Sequence, residues 1–401
     1  MEQQTTYQLH EKNLDSTTLH KTLILLTMAQ NLPETMKALV CQDIGKPLQL
    51  TTVPMPQPTP GSVVVKVLAV QSQRSLAAII AGKTPFTFPK SLTPGNTAIG
   101  RVAATGPDTT SLAVGQLVML DTFVRARDNT DIQILWGFSD GFTPQSKKFM
   151  ADNWAMGSYA EYVRAPLENT WALDENRLCG SPSDGGLGYT IDDLVSLPEI
   201  LIPYGGLRGI NLHPGETIVI APATGGFSGA AVFAALAMGA TVIAMGRNAK
   251  VLQKLKDQFP RVRTVVNTGD VQADTAALLA LGPIDAYLDL SPPQASSSTH
   301  IRSCFLALRQ YGRASLMGFI PTDLALPYSH AMGNNLTIRG QFMYERADVK
   351  SLIRLAESGQ LKLGTAGCYE ICGKYRLDEM EECFKKTEAC QEAGQVVMIT
   401  P

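Results

Sequence analysis

The sequence has few charged residues and no long apolar run. Only 17% of its 401 residues are Asp, Glu, Lys or Arg, and the formal net charge is −2 at pH 7. Nucleic acids and anionic membranes attract clustered positive charge, so this balance argues against both partners. No apolar stretch reaches the roughly 18 residues of a transmembrane helix. Because 45% of the residues are hydrophobic, the chain is expected to fold into domains that act on a small molecule.

Cysteines at metal-binding or disulfide-framework spacing are also missing. The seven cysteines are scattered, and the closest pairs, Cys368 with Cys372 and Cys383 with Cys390, are not Cys-X-X-Cys. We therefore expect neither a zinc ribbon nor a disulfide scaffold. Residues 1–35 carry acidic side chains and one short apolar run, which does not fit a signal peptide. We predict an N-terminal extension over 1–35 and a cytoplasmic protein.

From residue 36 onward, short apolar runs are separated by glycine and proline. Such runs cover residues 36–40, 63–70 and 99–102. This spacing predicts an irregular antiparallel barrel rather than alternating strands and helices. Residues 121–157 show no clear periodicity and are predicted to form a long loop, a kind of segment that is usually functional or mobile.

After about residue 188, apolar strands alternate with helical segments. The predicted strands are 216–221, 241–246, 262–266, 284–290 and 313–319, and the predicted helices include 227–238 and 250–259. Alternation of this kind predicts a doubly wound parallel sheet with helices on both faces. Near the C-terminus, a helix over 348–358, a second one bearing Leu377, Met380 and Phe384, and a strand over 395–400 are predicted to return to the first domain.

A glycine-rich turn at residues 218–231, IVIAPATGGFSGAA, is the strongest chemical signal. An apolar strand leads into it and an alanine-rich helix leaves it, so free N–H groups at the helix N-terminus could hold a pyrophosphate. The Gly-X-Gly-X-X-Gly pattern is imperfect, because Ala223 and Ser228 replace its first and third glycines. An ordinary strand–turn–helix corner is the alternative interpretation. The residues predicted to bind the phosphates are Thr224, Gly225, Gly226, Phe227 and Ser228.

The end of the second strand indicates which dinucleotide binds. An acidic residue there would bind a ribose 2′-hydroxyl and repel a 2′-phosphate, but this sequence reads Gly246, Arg247, Asn248. A guanidinium beside a small residue favours a phosphate, and Lys250 could add a second cation. These four residues are therefore predicted to bind NADP(H). The alternative is that Arg247 is a solvated surface arginine.

Taken together, these features resemble the medium-chain dehydrogenase/reductase superfamily from residue 36 to the C-terminus. Besides the turn, the resemblance is carried by residues 36–40, PGNTAIGRV at 94–102, VGQLV at 114–118 and GSYAEYV at 157–163. It implies an α/β protein with a GroES-like β-barrel catalytic domain at 36–187 and 341–401. A Rossmann cofactor-binding domain with a doubly wound parallel sheet would occupy 188–340. It further implies a nicotinamide cofactor in the cleft and, commonly, a homodimer.

The sequence departs from the zinc-dependent members of this superfamily. These members carry a cysteine at or near the position of Ser72 and a Gly-His-Glu where this chain has Gly95, Asn96 and Thr97. Neutral Ser, Asn and Thr are poor ligands for Zn²⁺. The four-cysteine lobe for structural zinc is missing as well. The chain thus resembles the zinc-independent branch, similar to quinone oxidoreductases and enoyl reductases, and we expect no metal site.

Further site residues follow from the resemblance. Gln73 and Asn96 could donate to a substrate carbonyl, although local backbone hydrogen bonds are the alternative for each. Tyr204 could contact the nicotinamide or donate a proton, with core packing as its alternative. Gly318 and Phe319 are predicted on the cofactor side. Trp136, Phe138 and Tyr344 are predicted in the substrate pocket, and Trp136 and Phe138 could equally anchor the loop.

Three functions remain open from the sequence. The leading hypothesis is an NADPH-dependent, zinc-independent enzyme that transfers hydride to an activated C=C bond or a quinone, because hydride addition to an enone needs only hydrogen bonds to the developing enolate. The second is a metal-free NADP-dependent carbonyl or alcohol oxidoreductase of a specialised metabolite. The third is a dinucleotide-binding protein without redox activity.

Overall fold

The computed structural model describes residues 32–401, so most of the predicted N-terminal extension lies outside the described residues. Within that range, no helix is both long and apolar enough to cross a bilayer. All seven cysteines fall inside the range and are free thiols.

The described chain contains seventeen strands. In chain order they are β1 (Thr35–Cys41), β2 (Leu48–Pro54), β3 (Ser62–Gln71), β4 (Ala98–Thr105), β5 (Leu117–Leu120), β6 (Phe123–Arg125), β7 (Gln133–Leu135), β8 (Tyr162–Pro166), β9 (Thr170–Ala172), β10 (Thr217–Ala221), β11 (Thr241–Gly246), β12 (Val262–Val266), β13 (Ile284–Asp289), β14 (Leu308–Leu316), β15 (Thr337–Gly340), β16 (Glu370–Tyr375) and β17 (Gln395–Ile399).

Twelve α-helices connect or cover these strands in the described range. They are α1 (Leu76–Ile80), α2 (Pro144–Asn153), α3 (Glu175–Cys179), α4 (Ile191–Leu194), α5 (Leu197–Gly209), α6 (Gly226–Ala237), α7 (Ala249–Gln258), α8 (Val271–Leu279), α9 (His300–Ala307), α10 (Tyr328–Gly333), α11 (Arg346–Glu357) and α12 (Met380–Ala389).

The predicted doubly wound sheet is confirmed. Six parallel strands run in the order β12-β11-β10-β13-β14-β15. The central strands β10, β11 and β13 are almost wholly buried, as expected for strands covered by helices on both faces. The strand order reverses between β10 and β13, so the crevice at their carboxyl ends is the expected place for a ligand. The predicted strand at 313–319 instead begins at Leu308 and ends at Leu316, which leaves Gly318 and Phe319 in the loop that follows.

Both ends of the described chain contribute to a second, largely antiparallel sheet. Its seven strands include β16-β17-β3-β4-β5-β9, with β8 also paired to β3. Met398 in β17 pairs with Gln71 in β3, so the last strand joins the N-terminal part of the chain. The alternating apolar residues of β3 and β4 fill the core of this part, with Val63, Val65 and Val102 fully or almost fully buried.

The segment 121–157 is not the irregular loop that the sequence suggested. It contains the ribbon β6–β7 and the helix α2. Thr143 caps this helix by accepting from Ser146 N, and Pro144 stands at its first turn. Thr143 followed by Pro144 is a helix start signal that can be read from the sequence. The helix was nevertheless not predicted, because it has little apolar periodicity. The segment is therefore a structured wall beside the cleft.

Candidate functional site

The glycine-rich turn joins β10 to α6 at the carboxyl edge of the parallel sheet. Ser228 closes the turn, because its Oγ accepts from Gly225 N over 3.1 Å and is itself buried. Its hydroxyl is thus a support for the turn rather than a phosphate contact. Gly229 lies against Ala393, where an added Cβ would overlap that residue. Thr224, Gly225, Gly226 and Phe227 remain partly exposed at the start of α6 and fit a pyrophosphate-binding N-terminus.

Arg74, which the sequence analysis missed, lies directly against this turn. A Cβ added to Gly226 would overlap its guanidinium. The guanidinium is held by Glu199 Oε1 at 2.5 Å and by the Gln395 carbonyl at 2.6 Å. A cation fixed beside a helix N-terminus strengthens the anion site there. The only feature of the sequence that pointed to Arg74 was its position directly after Gln73, a predicted site residue.

The predicted NADP(H) residues lie at the end of β11. Gly246 packs so closely on Thr224 that an added Cβ would stand 2.9 Å from the threonine methyl. Arg247 and Lys250 are exposed, and within residues 32–401 neither forms an ion pair. Both are therefore accessible to a phosphate.

Asn248 has a different role from the one predicted. Its Oδ1 accepts from Lys250 N and Val251 N and caps α7, while its Nδ2 donates to Glu392 Oε1 over 3.0 Å. Both ends of the amide are engaged in the protein, so the structure does not support a direct cofactor contact by this side chain.

Gln73 and Asn96, the predicted substrate contacts, lie in two segments that both contact the buried Tyr159. The backbone N of Gln73 donates to the Tyr159 hydroxyl over 3.1 Å, and Tyr159 N donates to the carbonyl of Pro94, two residues before Asn96. Burial raises the pKa of Tyr159, so this hydroxyl stays protonated. Asn96 is 7% exposed, and its Oδ1 has no hydrogen-bond partner. Within residues 32–401 its Nδ2 forms no hydrogen bond either, so the side chain can donate to a ligand through Nδ2, whereas the buried Oδ1 can only accept.

Tyr204 is placed as the core-packing alternative expects. It lies in α5, almost fully buried, and its hydroxyl is 2.8 Å from Ser351 Oγ on α11. The hydroxyl is occupied in a contact between two helices, which corresponds to core packing rather than to proton donation. Two glycines of the same helix pack against residues that follow strands of the parallel sheet. A Cβ added to Gly206 would overlap Met317, and one added to Gly205 would stand 2.6 Å from Tyr344.

The side chains at the expected zinc positions do not fit that metal. Ser72 Oγ is 2.7 Å from Thr387 Oγ1, a hydrogen bond inside the barrel. Asn96 and Thr97 supply a neutral amide and a hydroxyl rather than imidazole and carboxylate. Over residues 32–401 there is no group of three His, Cys, Asp or Glu side chains that could hold a metal ion.

Aromatic side chains line a cavity of about 190 Å³ between the barrel and the edge of the parallel sheet. Phe86, Phe142 and Phe342 contribute to its wall. Phe138, a predicted pocket residue, contacts Phe86 with ring centroids 5.7 Å apart. Phe319, predicted on the cofactor side, stacks on Phe86 at 5.4 Å. The cavity therefore joins residues of both parts of the chain.

Trp136 is not part of that cavity. It is fully buried, and its Nε1 donates to the Met156 carbonyl over 2.9 Å. It anchors the 121–157 segment, which is the alternative that the sequence left open.

Tyr344 lies at a separate cavity of about 310 Å³, not beside Phe138. Its hydroxyl donates to Asp121 Oδ1 over 2.8 Å, and Trp171 Nε1 donates to the other carboxylate oxygen at 2.5 Å. Burial raises the pKa of Asp121 despite these donors, and it also raises that of Tyr344. Tyr344 thus lines a cavity other than the one beside Phe138, and its hydroxyl belongs to a buried polar network with Asp121.

Gly318 packs on the carboxyl end of β13, the neighbouring strand. An added Cβ would overlap Asp289 Oδ2, so only glycine fits. Asp289 Oδ1 accepts from Ser291 Oγ at 2.5 Å, and that hydroxyl is 2.9 Å from His300 Nε2. This buried chain of hydrogen bonds holds the carboxyl end of β13, and no local pattern in the sequence predicted it.

Two family models match the chain. The model described as "Alcohol dehydrogenase GroES-like domain" matches residues 59–175, and the one described as "Zinc-binding dehydrogenase" matches residues 226–358. Together they span more than half of the sequence. The first model confirms the expected GroES-like fold of the antiparallel part.

Full-length proteins are similar to the chain as well. An alcohol dehydrogenase of Rhizobium meliloti is 27% identical over 374 residues, which are 91% of this chain and 98% of that protein. An NAD-dependent alcohol dehydrogenase of Sulfurisphaera tokodaii is 22% identical over 385 residues, 91% of this chain and 100% of that protein. The cobalt- and zinc-bound thermostable alcohol dehydrogenase of Pyrobaculum aerophilum has the same fold, with a TM-score of 0.66 at 21% identity, covering 92% of this chain and all of that one.

The antiparallel domain built from both ends of the described chain, the parallel sheet with its glycine-rich turn, and the two matching models agree. The chain belongs to the medium-chain dehydrogenase/reductase superfamily of nicotinamide-dependent oxidoreductases.

Proposed function

We propose that the protein is an NADPH-dependent, zinc-independent oxidoreductase that reduces an activated C=C bond, as in an enone, or a quinone. The observation that carries the proposal is the Asn96 side chain, which is 7% exposed and forms no hydrogen bond within residues 32–401, so that its Nδ2 is free to donate. It stands where zinc-dependent relatives have a metal-ligating histidine. An amide there can donate a hydrogen bond to a carbonyl oxygen, whereas it is a poor ligand for Zn²⁺.

The residues around the crevice suit NADPH. The N-terminus of α6 and the Arg74 guanidinium would hold the pyrophosphate, and Arg247 and Lys250 would hold the 2′-phosphate. No acidic side chain follows Gly246 directly, where NAD-binding folds place the carboxylate that binds the ribose. The proposed preference for NADPH over NADH rests on these cationic side chains and on the missing carboxylate.

The reaction balances with one cofactor and one proton. Bound NADPH would supply a hydride to the electrophilic carbon and leave as NADP⁺, while the C=C electron pair moves to the substrate oxygen. Asn96 Nδ2 would donate to that oxygen as negative charge develops on it, and the side chain of Gln73, whose backbone N bonds to the Tyr159 hydroxyl, would orient the substrate. A proton from solvent on the neighbouring carbon would complete the saturated product.

A second candidate is a carbonyl or alcohol oxidoreductase. The alcohol dehydrogenase names of the similar proteins favour it. Hydride would then add to the carbonyl carbon, and the same Asn96 amide would donate to the resulting alkoxide oxygen. The two candidates differ in the product, a saturated ketone in one case and an allylic alcohol in the other.

The test uses the full-length protein. NADPH and NADH are titrated by fluorescence, and turnover of enones, quinones, ketones and alcohols is followed with product analysis, each with and without a chelator. We expect tighter NADPH binding, saturated products and no effect of the chelator. Tighter NADH binding, allylic alcohol as the product, or loss of activity with the chelator would each contradict part of the proposal. Tight binding without any turnover would favour a dinucleotide-binding protein without redox activity.

A variant of Asn96 tests its proposed role as a hydrogen-bond donor to the substrate oxygen. Replacing it in Asn96→Ala should lower kcat by roughly 100-fold, the effect of removing one donor to a developing oxyanion. Asn176→Ala, which changes an exposed asparagine on α3, is the matched control. Equal kcat values for the two variants would rule out the proposed role.

We also propose a cytoplasmic homodimer. The strand β15 lies at the edge of the parallel sheet and all four of its residues are exposed, including Ile338. An unpaired edge can pair with the same strand of a second copy. Light scattering of the purified protein should give twice the mass of the chain, and a monomer would contradict the proposal.

A further inference from the structure

We propose that the cavity beside Phe86 is a slot for a planar ring, so that the substrate carries its reducible group on an aromatic or conjugated apolar substituent. The inference rests on the proposed function, since it places the substrate of that reaction. It goes further by naming the substrate class and the residues that select it.

The walls of the slot are aromatic and come from three segments of the chain. Phe86 follows α1, Phe142 precedes α2, and Phe342 follows β15. Phe319, after β14, stacks on Phe86 with an interplanar angle of 28°, and Phe142 contacts the same ring at 6.2 Å. Aromatic rings prefer offset-stacked or edge-to-face neighbours, and this arrangement offers both to a further ring.

Three of these rings are well exposed. Phe142 is 70% exposed, Phe342 is 52% exposed and Phe319 is 46% exposed. Phe142 and Phe342 line the cavity, and Phe319 stacks on Phe86, which also lines it. Single exposed apolar residues are ordinary, but three phenylalanines gathered in this way form a patch that gains stability when it is covered. A small apolar ligand in the cavity would cover them together.

Three hydroxyl side chains in the wall are already hydrogen-bonded within the protein. Thr143 and Ser146 bond to each other in the cap of α2, and Ser139 Oγ accepts from Gly141 N. These hydroxyls are therefore weak candidates for recognising a polar substituent. Asp131 and Gln133 also line the cavity, and within residues 32–401 their side chains form no hydrogen bond or ion pair. The phenylalanines therefore offer apolar contact and ring stacking, while these two side chains could meet a polar substituent on the ring.

The size and rigidity of the cavity suit one ring. A dry cavity of about 150 Å³ is known to take up benzene, and this one measures about 190 Å³. Thr87 Oγ1 donates to the buried Asp140 carboxylate over 2.6 Å, and Asp140 N donates back to the Thr87 carbonyl. These bonds fix the segment of Phe86 against the segment of Phe142, so the slot exists before the ligand binds.

The slot also lies where a substrate must be. Phe319 and Phe342 follow adjacent parallel strands at their carboxyl ends, which is the edge where doubly wound sheets bind ligands. A ring held there would extend from the crevice that the cofactor enters. The reducible group attached to that ring would then face the crevice.

The experiment compares substituents on one reactive group. The probes are trans-4-phenyl-3-buten-2-one, its 4-cyclohexyl analogue and 3-penten-2-one, assayed for NADPH oxidation. We expect kcat/KM to be roughly 10- to 100-fold higher for the phenyl compound than for the methyl one, as for several added carbons in an apolar pocket. The planar phenyl ring should also exceed cyclohexyl by roughly 3- to 10-fold, because stacking adds to apolar contact. Equal values for phenyl and methyl, or for phenyl and cyclohexyl, would overturn the proposal.

Variants locate the effect. Phe142→Ala and Phe319→Ala, both at exposed rings, should reduce the preference for phenyl over methyl by at least about threefold each. Leu279→Ala on α8, a large apolar side chain that is 54% exposed, is the matched control and should keep the preference. If both phenylalanine variants kept the preference for phenyl over methyl, the substrate ring would have to bind outside this cavity.

A binding arm separates this inference from the proposed function. Calorimetry with the saturated 4-phenylbutan-2-one and with 2-pentanone, each in the presence of NADP⁺, measures the slot without turnover. Tighter binding of the phenyl ketone with no reduction of any enone would support the slot and overturn the proposed reaction. If the enones were reduced but the phenyl compounds were preferred neither in kcat/KM nor in binding affinity, the reaction would be supported and the slot overturned.

Discussion

Asn248 Nδ2 donates to Glu392 Oε1 over 3.0 Å, across 144 residues of sequence. The bond joins the end of β11 to the segment just before β17. Gly225 forms a β-bridge with the backbone of the same Glu392, so this segment adjoins the glycine turn while its carboxylate lies at Asn248. A negative charge therefore borders the end of β11, where the 2′-phosphate of NADPH is proposed to bind.

Removing that charge should strengthen NADPH binding. In Glu392→Gln the hydrogen bond from Asn248 can persist while the repulsion of the phosphates disappears. For exposed charges in water we expect about a two- to fivefold lower dissociation constant, and a smaller gain in 0.5 M salt. Fluorescence titration of NADPH measures the effect, with Glu388→Gln on α12 as the control at another exposed glutamate. Weaker binding by Glu392→Gln would show that the carboxylate contacts the cofactor favourably.

The ion pair between Arg74 and Glu199 should couple stability to cofactor binding. The Glu199 side chain is only 4% exposed, so Arg74→Met would leave a buried carboxylate without its cation. We expect the free energy of unfolding to fall by about 3 kcal/mol and the pyrophosphate to bind more weakly. Urea unfolding and NADPH titration measure the two effects.

The double variant Arg74→Met with Glu199→Gln separates them. Gln71 can still donate to the neutral amide, as it does to Glu199 at 2.9 Å, so much of the lost stability should return. Affinity for NADPH should stay low, because the cation beside Gly226 is still missing. Recovery of both properties together would show that Arg74 acts on the turn only through the fold.

Local patterns predicted the parallel sheet well. The strands at 241–246 and 262–266 match β11 and β12, because each is an apolar run bounded by a turn or a helix start. The fifth strand was placed too late, since Tyr311 adopts a positive φ of 61° and interrupts the regular pattern within β14. β2 was missed because most of its residues are only partly buried or exposed.

The site was predicted less completely, because its contacts join distant residues. Arg74 meets Glu199 across 125 positions, and Tyr204 meets Ser351 across 147. No periodicity within one segment carries such information. Trp136 and Tyr344 looked like pocket residues for the same reason, since an aromatic residue in a loop or after a strand has the same local signature whether it lines a pocket or fills a core.

Removing the Tyr204 hydroxyl should leave catalysis intact. Because that hydroxyl pairs with Ser351, Tyr204→Phe should keep kcat within about twofold and lower the free energy of unfolding by about 1 kcal/mol. Ser351→Ala breaks the same bond from α11 and should give a similar loss of stability. Steady-state kinetics and urea unfolding test both statements. A drop in kcat of about 100-fold in Tyr204→Phe alone would restore the proton-donor role.

Glu345 should make the stability depend on pH through Arg125. The guanidinium donates to both carboxylate oxygens, at 2.6 and 2.9 Å, and ties β6 to the start of α11. These hydrogen bonds lower the pKa of Glu345 below its ordinary value of 4.5. A carboxyl whose pKa is lower in the folded state stabilises the fold above its unfolded pKa, and this contribution is lost as the pH falls through the folded value.

Replacing Glu345 measures that contribution. Its side chain is 59% exposed, so solvent screening limits the effect to about 0.5 kcal/mol at pH 7. Urea unfolding of Glu345→Gln against the unchanged protein should therefore show this small loss at pH 7, no difference well below pH 4.5, and a smaller loss in high salt. Glu388→Gln, the exposed control on α12, should match the unchanged protein across the same range. A loss in Glu345→Gln that persists at the lowest pH would mean that packing, rather than the charge on Glu345, holds β6 against α11.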